Sequence, residues 1–398
     1  MNFSYPYPVQ FLEFNSQGQT LRMAYLDVPA SDVKPVAAAP AAPAAAAQPA
    51  TTPDTPPAPT AAQPPAAGAQ PAPAAQPAAA ANEFGLTPAQ VKADAEFDSA
   101  VERAGDPGAP AAGQAASAAV TENAAHASGT SNGRCVVLLH GKNFTAANWQ
   151  STIDLLTKQG YRVIAPDQIG FGKSSKPGTY QYSFAQLARN TRELLESLQL
   201  PRCSIVGHSM GGMLAARFAL QYPAATERLI LINPIGLEDY AAFVPYRTVD
   251  EWFADELKQT PESIREYQRT SYYSGSWKPE YEAQIQQLAG YTLHSDYARV
   301  AWVSALTYDM IFTQPVIQDF SRIRVPTRLI IGTRDRTALG RKFALPQTAA
   351  SMGNYALLGK QARDLVPGAQ LIELPGIGHV PQVEAFPQYR NALLKFLR

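Results

Sequence analysis

One serine, Ser209, lies in the string Ser204-Ile205-Val206-Gly207-His208-Ser209-Met210-Gly211-Gly212, with a glycine two residues away on either side. A hydroxyl is a weak nucleophile at neutral pH and becomes effective beside a base that takes its proton. The spacing suits that use. A serine on a sharp strand-to-helix turn holds its Oγ exposed at the head of the helix, and a side chain at Gly207 or Gly211 would strike the adjoining backbone. The flanking sequence agrees: Ile205 and Val206 are β-branched residues of a buried strand, and Met213 to Leu220 has helical spacing until Tyr222-Pro223 ends it. Ser209 is the candidate nucleophile.

The base should be a histidine oriented by a carboxylate. Of the five histidines, His126 falls in low-complexity sequence, His140 and His208 sit inside glycine-containing loop motifs, and His294 lies in an aromatic-rich segment. His379 is left. It follows the short strand Leu371-Ile372-Glu373-Leu374 and the loop Pro375-Gly376-Ile377-Gly378, with a final helix expected from Tyr389 to Leu397. The carboxylate is Asp335, at the carboxyl end of the strand Thr327-Arg328-Leu329-Ile330-Ile331. Glu238 and Asp239, which follow the strand Arg228 to Ile232, stand as alternatives. Acyl chemistry also needs donors aimed at the oxygen that becomes negative. The backbone N–H of Met210 is one, and the N–H of Lys142, in the loop His140-Gly141-Lys142-Asn143, is the other, with Asn143 next. The side chains of His140 and His208 are expected to bond loop backbone.

These residues require a scaffold. Val9 to Phe14 and Thr20 to Leu26 alternate like a hairpin around a turn at 15–19. Apolar strands at 135–139, 161–165, 203–207, 228–232, 327–331 and 370–374 alternate with helical segments. That is the pattern of an α/β protein with a mostly parallel sheet covered on both faces, whose reactive loops sit at the carboxyl ends of the strands. Asp167 to Ser174, with Gly170 and Gly172, reads as loop-shaping sequence at one such end.

Taken together, His140-Gly141, the run Asp167-Gln168-Ile169-Gly170-Phe171-Gly172-Lys173-Ser174, and Ser209, Asp335 and His379 resemble the α/β-hydrolase fold family of the serine-nucleophile type, over residues 3–30 and 134–398. The resemblance implies helices on both faces of the sheet and an α-helical lid between strands six and seven. On that basis the chain divides into an N-terminal hairpin (1–30), an Ala/Pro-rich insertion (31–133), core (134–236), lid (237–322) and core (323–398). Implied is hydrolysis of an apolar carboxylic ester or related acyl compound through an acyl-enzyme, with no cofactor and no metal. Carbon–carbon bond hydrolysis and acyl transfer on the same triad are alternatives, as is a non-catalytic binding protein on this fold. A serine at the turn argues against the alkyl-enzyme branches, which use a carboxylate there. Two features depart from the family pattern: Lys142-Asn143 after His-Gly, and a long segment from Arg336 to Gly359. Most of the aromatic side chains of the lid between Tyr240 and Tyr308 are expected to pack its helices together and a few to face Ser209, which suits a largely apolar pocket for a medium-sized acyl or aryl group.

Composition bounds the remainder. The 398 residues are 46% hydrophobic, and 12 of the 34 prolines fall in the 46 residues from Val36 to Ala81, a stretch almost wholly of Ala, Pro, Gln and Thr whose one charge is Asp54. Such sequence cannot bury a core and is expected to be disordered, with a marginal helix from Val91 to Ala104 after the Thr87-Pro88 start signal. Proline recurs too often there for a membrane span. The balance of 33 basic against 33 acidic residues provides no attraction to nucleic acid, so the expected partner is a small acyl substrate. Cys135 and Cys203 begin strands expected to be neighbours, a poor setting for a disulfide. With no apolar leader after Met1, the chain reads as cytoplasmic as it stands, or as exported if a leader has been removed.

Overall fold

Strands covered on both faces read as apolar runs without alternation. β3 (Cys135–Leu139), β5 (Cys203–His208) and β7 (Thr327–Gly332) do so and are buried along their whole length. The computed structural model describes residues 4–31 and 132–398, which belong to one compact unit. The Ala/Pro-rich stretch and the helix expected over 91–104 lie outside the described residues.

The other strands are β1 (Val9–Ser16), β2 (Gln19–Val28), β4 (Arg162–Pro166), β6 (Thr226–Ile232) and β8 (Gln370–Leu374). They form one eight-stranded sheet in the order β1-β2-β4-β3-β5-β6-β7-β8. β1 and β2 pair antiparallel, as do β2 and β4, and all later pairs are parallel. The hairpin is tighter than the expected turn over 15–19. Its loop is Gln17-Gly18 alone, both with positive φ (52° and 75°), the backbone of a type I′ turn, so that Asn15 and Ser16 still pair with Thr20 and Gln19.

Alternate residues of each strand face opposite ways. Val137, Leu139 and Ile205 pack with Leu187 and Leu194 of α2 (Phe184–Ser197), Leu214 and Phe218 of α3 (Met210–Gln221), and Leu358 and Ala362 of a later helix, Tyr355–Leu365. Val136, Leu138 and Val206 pack on the other face with Ile153 and Leu156 of α1 (Gln150–Thr157) and Leu393 and Leu397 of the C-terminal helix, Phe386–Leu397. The last helix thus begins before Tyr389, because Pro387 sits in its first turn, where no intrahelical N–H is needed.

Between β6 and β7 the chain turns helical: α4 (Val249–Glu256), α5 (Pro261–Ser271), α6 (Pro279–Thr292) and α7 (Tyr297–Thr313). Thr248 and Thr260 cap α4 and α5 through their side chains, satisfying N–H groups that a helix start leaves open. In register, Leu139 lies opposite Gly207, His208 opposite Ile232, Ile232 opposite Ile330, and Gly332 opposite Leu374. The strand ends are therefore level, and the loops leaving them meet above one edge of the sheet.

Among the described residues no helix is long and apolar enough to cross a membrane, and no cluster of metal-ligating side chains is present. Cys135 and Cys203 are buried free thiols on adjacent strands; burial and the neighbouring thiol push the Cys135 group upward in pKa.

Candidate active site

Ser209 joins β5 to α3 with φ 56° and ψ −123°, a backbone conformation that costs an L-residue on the order of 1–3 kcal/mol and persists only when its surroundings enforce it. Here they do. The Ser209 N–H donates to the Ile232 carbonyl at 3.1 Å, and the Ser209 carbonyl accepts from Gly212 N–H at 2.9 Å and Ile235 N–H at 3.2 Å. A Cβ at Gly207 would lie 2.0 Å from the Gly211 oxygen, and one at Gly211 would lie 2.1 Å from the Leu139 oxygen. Both glycines are needed to let helix, turn and β3 approach.

His379 Nε2 is 3.0 Å from Ser209 Oγ, and its Nδ1 is 2.6 Å from Asp335 Oδ2. The imidazole and the carboxylate are fully buried. With Asp335 accepting the Nδ1 proton, Nε2 is the free lone pair facing the hydroxyl. Asp335 also accepts from Asn233 Nδ2 and from Thr337 N–H, each at 2.8 Å. Asn233 Oδ1 in turn accepts from Gly332 N–H at 2.8 Å, so one amide ties the end of β6 to the carboxylate beyond β7. Sequence reasoning missed Asn233; its signal was a polar residue ending the apolar β6 run immediately before Pro234.

The alternatives to Asp335 are engaged elsewhere. Glu238 accepts from Gly353 N–H at 2.9 Å, and burial raises its carboxyl above the usual range. Asp239 caps the turn at Tyr240–Ala242 and accepts from Gln318.

His208 and His140 both bond backbone. His208 Nε2 donates to the His379 carbonyl at 2.8 Å. His140 donates from Nδ1 to the Gly141 carbonyl at 2.9 Å and accepts the Gln168 N–H at Nε2, 3.1 Å away. Burial lowers the affinity of both rings for a second proton, and the neighbouring His379 lowers that of His208 further. Asp167, fully buried, accepts from Ala146 N–H, Lys173 N–H and Tyr5 OH and so shapes the loop beside β4.

The loop carrying Lys142 passes directly over Ser209, since a Cβ at Gly141 would lie 2.9 Å from Ser209 Cβ. Met210 is the first residue of α3, where a backbone N–H has no partner one turn earlier. The Lys142 side chain was not read from the sequence. Its Nζ donates to Ser304 Oγ at 2.6 Å, Ser304 donates to Glu256 at 2.7 Å, and the ammonium sits 3.6 Å from the centre of the Tyr308 ring. Burial lowers the pKa of this lysine and Glu256 opposes the shift. Asn143 Nδ2 donates to Tyr272 OH at 2.9 Å, and the Tyr272 ring lies 4.5 Å from that of His379. Tyr272 also accepts the His379 N–H at its carbonyl, 3.3 Å away.

Next to this group opens a cavity of about 780 Å³ whose wall includes Asn143, Trp252, Tyr267, Tyr308, Thr337 and Phe343. It is less apolar than the aromatic residues alone suggest, because Asp255, Glu256, Arg334, Arg336, Arg341 and Lys342 also line it. The long segment from Arg336 supplies one side of it.

A model of the family described as alpha/beta hydrolase fold matches residues 134–385. The crystal structure of a probable hydrolytic enzyme from Pseudomonas aeruginosa PAO1 is 40% identical, with a TM-score of 0.74, over 100% of this chain and 96% of that one. A 2-hydroxy-6-oxo-2,4-heptadienoate hydrolase of Pseudomonas putida is 29% identical over 219 residues, 51% of this chain and 73% of the relative. A putative carbamate hydrolase, RutD, of Variovorax paradoxus is 38% identical over 105 residues, 26% of this chain, and the match spans only 40% of that relative's length.

Proposed function

The chain belongs to the α/β-hydrolase fold family, and from that premise we propose that it is a serine hydrolase of carboxylic esters or related acyl compounds, acting through Ser209, His379 and Asp335. The observation that carries the reading is the unbroken hydrogen-bonded line from Ser209 Oγ through the imidazole to the buried Asp335 carboxylate. In the mechanism it supports, Ser209 Oγ attacks the carbonyl carbon while His379 Nε2 takes the hydroxyl proton. Asp335 keeps the ring in the required tautomer and stabilises the imidazolium. Met210 and Lys142 N–H groups receive the oxyanion, a contribution of about 3 kcal/mol per donor. His379 then protonates the departing alcohol, and water, deprotonated by the same ring, releases the acid from the acyl-enzyme. The helical segment between β6 and β7 serves as the lid, and its aromatic residues hold the apolar acyl or aryl group.

The test is a panel of 4-nitrophenyl esters of graded chain length, followed by rapid mixing. Medium acyl chains should turn over with a burst of one nitrophenolate per Ser209. Absence of turnover across the panel by correctly folded protein would overturn the reading. The similarity to the heptadienoate hydrolase supports a second reading, carbon–carbon bond hydrolysis on the same triad. Release of one carboxylic acid and one ketone or its enol from a vinylogous diketone, with esters untouched, would favour it.

A further inference from the structure

The turn above Ser209 has an open donor and no grip of its own. Phe144 N–H donates to the Gly141 carbonyl at 3.1 Å, closing a β-turn whose two central residues are Lys142 and Asn143. Among the described residues no carbonyl or side chain accepts the Lys142 N–H, which an oxyanion donor requires. Gly141 has no room for a side chain, because a Cβ there would meet Ser209 Cβ at 2.9 Å and Phe144 Cδ2 at 3.1 Å. A glycine also leaves the backbone free to swing. A donor on a loop stabilises charge only when it is held within about 0.5 Å of its place. The hold must come from the side chains that follow.

Both are anchored. Asn143 Nδ2 donates to Tyr272 OH at 2.9 Å, and the Tyr272 carbonyl accepts the His379 N–H, so this half of the turn is tied to the loop of the catalytic base. Lys142 is tied to the helical segment instead. Its Nζ donates to Ser304 Oγ at 2.6 Å, Ser304 donates onward to Glu256 Oε2 at 2.7 Å, and the centre of the Tyr308 ring lies 3.6 Å from the ammonium. Ser304 and Tyr308 stand four residues apart on α7 and share one face of it, while Glu256 is the last residue of α4. The two helices are locked together: Trp252 stacks on Tyr308 with centroids 4.6 Å apart, Phe253 meets Trp302 edge-on at 5.4 Å, and Tyr297 OH donates to the Glu256 carbonyl at 2.8 Å. The lysine thus grips a rigid pair of helices.

Charge matters here as much as reach. An ammonium drawn away from water is stable only with its partners in place, and a hydroxyl, a ring face and the carboxylate behind that hydroxyl supply them. A neutral side chain of the same length would fill the space without these attractions.

We propose that Lys142 is a positioning residue: its side chain, held by Ser304 and Glu256, fixes the backbone N–H of the same residue in the oxyanion hole of Ser209. The role rests on the serine-hydrolase reading above. It gives a purpose to the departure of Lys142 from the family pattern, since neither a small nor an aromatic residue carries the charge that Glu256 and Tyr308 receive. In consequence the oxyanion hole is complete only while α4 and α7 lie against the turn.

The experiment measures kcat and KM on 4-nitrophenyl hexanoate for the full chain and for Lys142→Met, Ser304→Ala, Glu256→Gln and the double variant Lys142→Met/Glu256→Gln, with the inhibition constant of hexyl trifluoromethyl ketone beside them. That ketone reports on the hole directly: Ser209 Oγ bonds its carbonyl carbon, the hydroxyl proton passes to His379 Nε2, and the carbonyl oxygen becomes the oxyanion. Every variant keeps the N–H at 142. Lys142→Met should lower kcat by about 10²-fold with KM little changed, and Ser304→Ala and Glu256→Gln by about tenfold each. The double variant should be no slower than Lys142→Met alone, because both changes cut one chain. Ketone affinity should fall by the same factors as kcat. An unchanged kcat in Lys142→Met and Ser304→Ala, or a loss of activity that the ketone does not share, overturns the role. Should Lys142→Met fail to fold, Ser304→Ala, which removes only a hydroxyl, decides by the same two readouts. If wild type hydrolyses no ester, the ester reading falls and the ketone alone decides: affinity lost in the variants keeps the role, equal affinity overturns it, and no adduct with wild type removes both.

Discussion

At the level of single residues, the account rests on which side chains can be charged and where. Asp335 is bound by three donors, of which His379 is the one that also contacts Ser209 Oγ, so Asp335→Asn should preserve packing and reverse the imidazole tautomer. The expected result is a fall in kcat of about 10⁴-fold with KM little changed; steady-state kinetics on a medium-chain ester checks it. Two other histidines set the acid limit of the fold. His140 and His208 are held neutral by burial, with folded pKa values below the ordinary 6.5. The unfolded chain therefore binds more protons at acid pH, and stability falls as pH drops below 6.5 towards the folded values. Each ring contributes about 1.4 kcal/mol per pH unit to that slope. Denaturant midpoints measured from pH 7 to pH 5 should decrease, and His208→Gln should shallow the slope. Ser209 and His379 were legible because their flanking glycines and strand ends are local in sequence. Asn233 and the Lys142–Ser304–Glu256 chain were not, because each depends on which side chains the fold brings together from segments distant in sequence.

At the level of elements, catalysis depends on strand ends being level and on one turn being tight. The apolar runs of β3, β5, β6 and β7 made the sheet readable, since residues buried on both faces leave no other pattern. Element limits shifted by one to three residues where a helix start or hairpin decided them, as at Phe386 and at Gln17-Gly18. The turn at Ser209 has no slack: a methyl at Gly211 would press on the Leu139 carbonyl at 2.1 Å, a backbone atom that cannot swing away. Gly211→Ala should therefore cost several kcal/mol, beyond the usual ~1–3 kcal/mol of overpacking, and yield insoluble or inactive protein. A soluble Gly211→Ala enzyme with normal melting temperature would show that the turn is looser than these contacts require. What the sequence could not supply at this scale was the path of the helical segment. Its aromatic residues announce burial but not direction, and only Tyr272 among them meets His379.

Across the whole molecule, the sequence connecting β2 to β3 is long, but its anchors are close. Ser31 N–H bonds the Thr157 carbonyl and Asn132 N–H bonds the Gly160 carbonyl, while Gly160 N–H itself reaches Thr157. The two ends of the excursion thus leave the sheet within one turn of each other. Closing a long loop costs only logarithmically more than closing a short one, so replacing residues 32–131 by a short Gly/Ser linker should leave ester turnover unchanged and shift the melting temperature by no more than about 2 °C. A large loss of either would assign the excursion a part in the fold. The central claim concerns the serine itself, and intact-mass analysis after treatment with a fluorophosphonate addresses it most directly. The account predicts a single adduct, mapped by peptide sequencing to Ser209, formed rapidly in wild type and slowed by orders of magnitude in His379→Ala. Folded wild-type protein that remains unmodified, or that is labelled at another residue while Ser209 stays free, would contradict it.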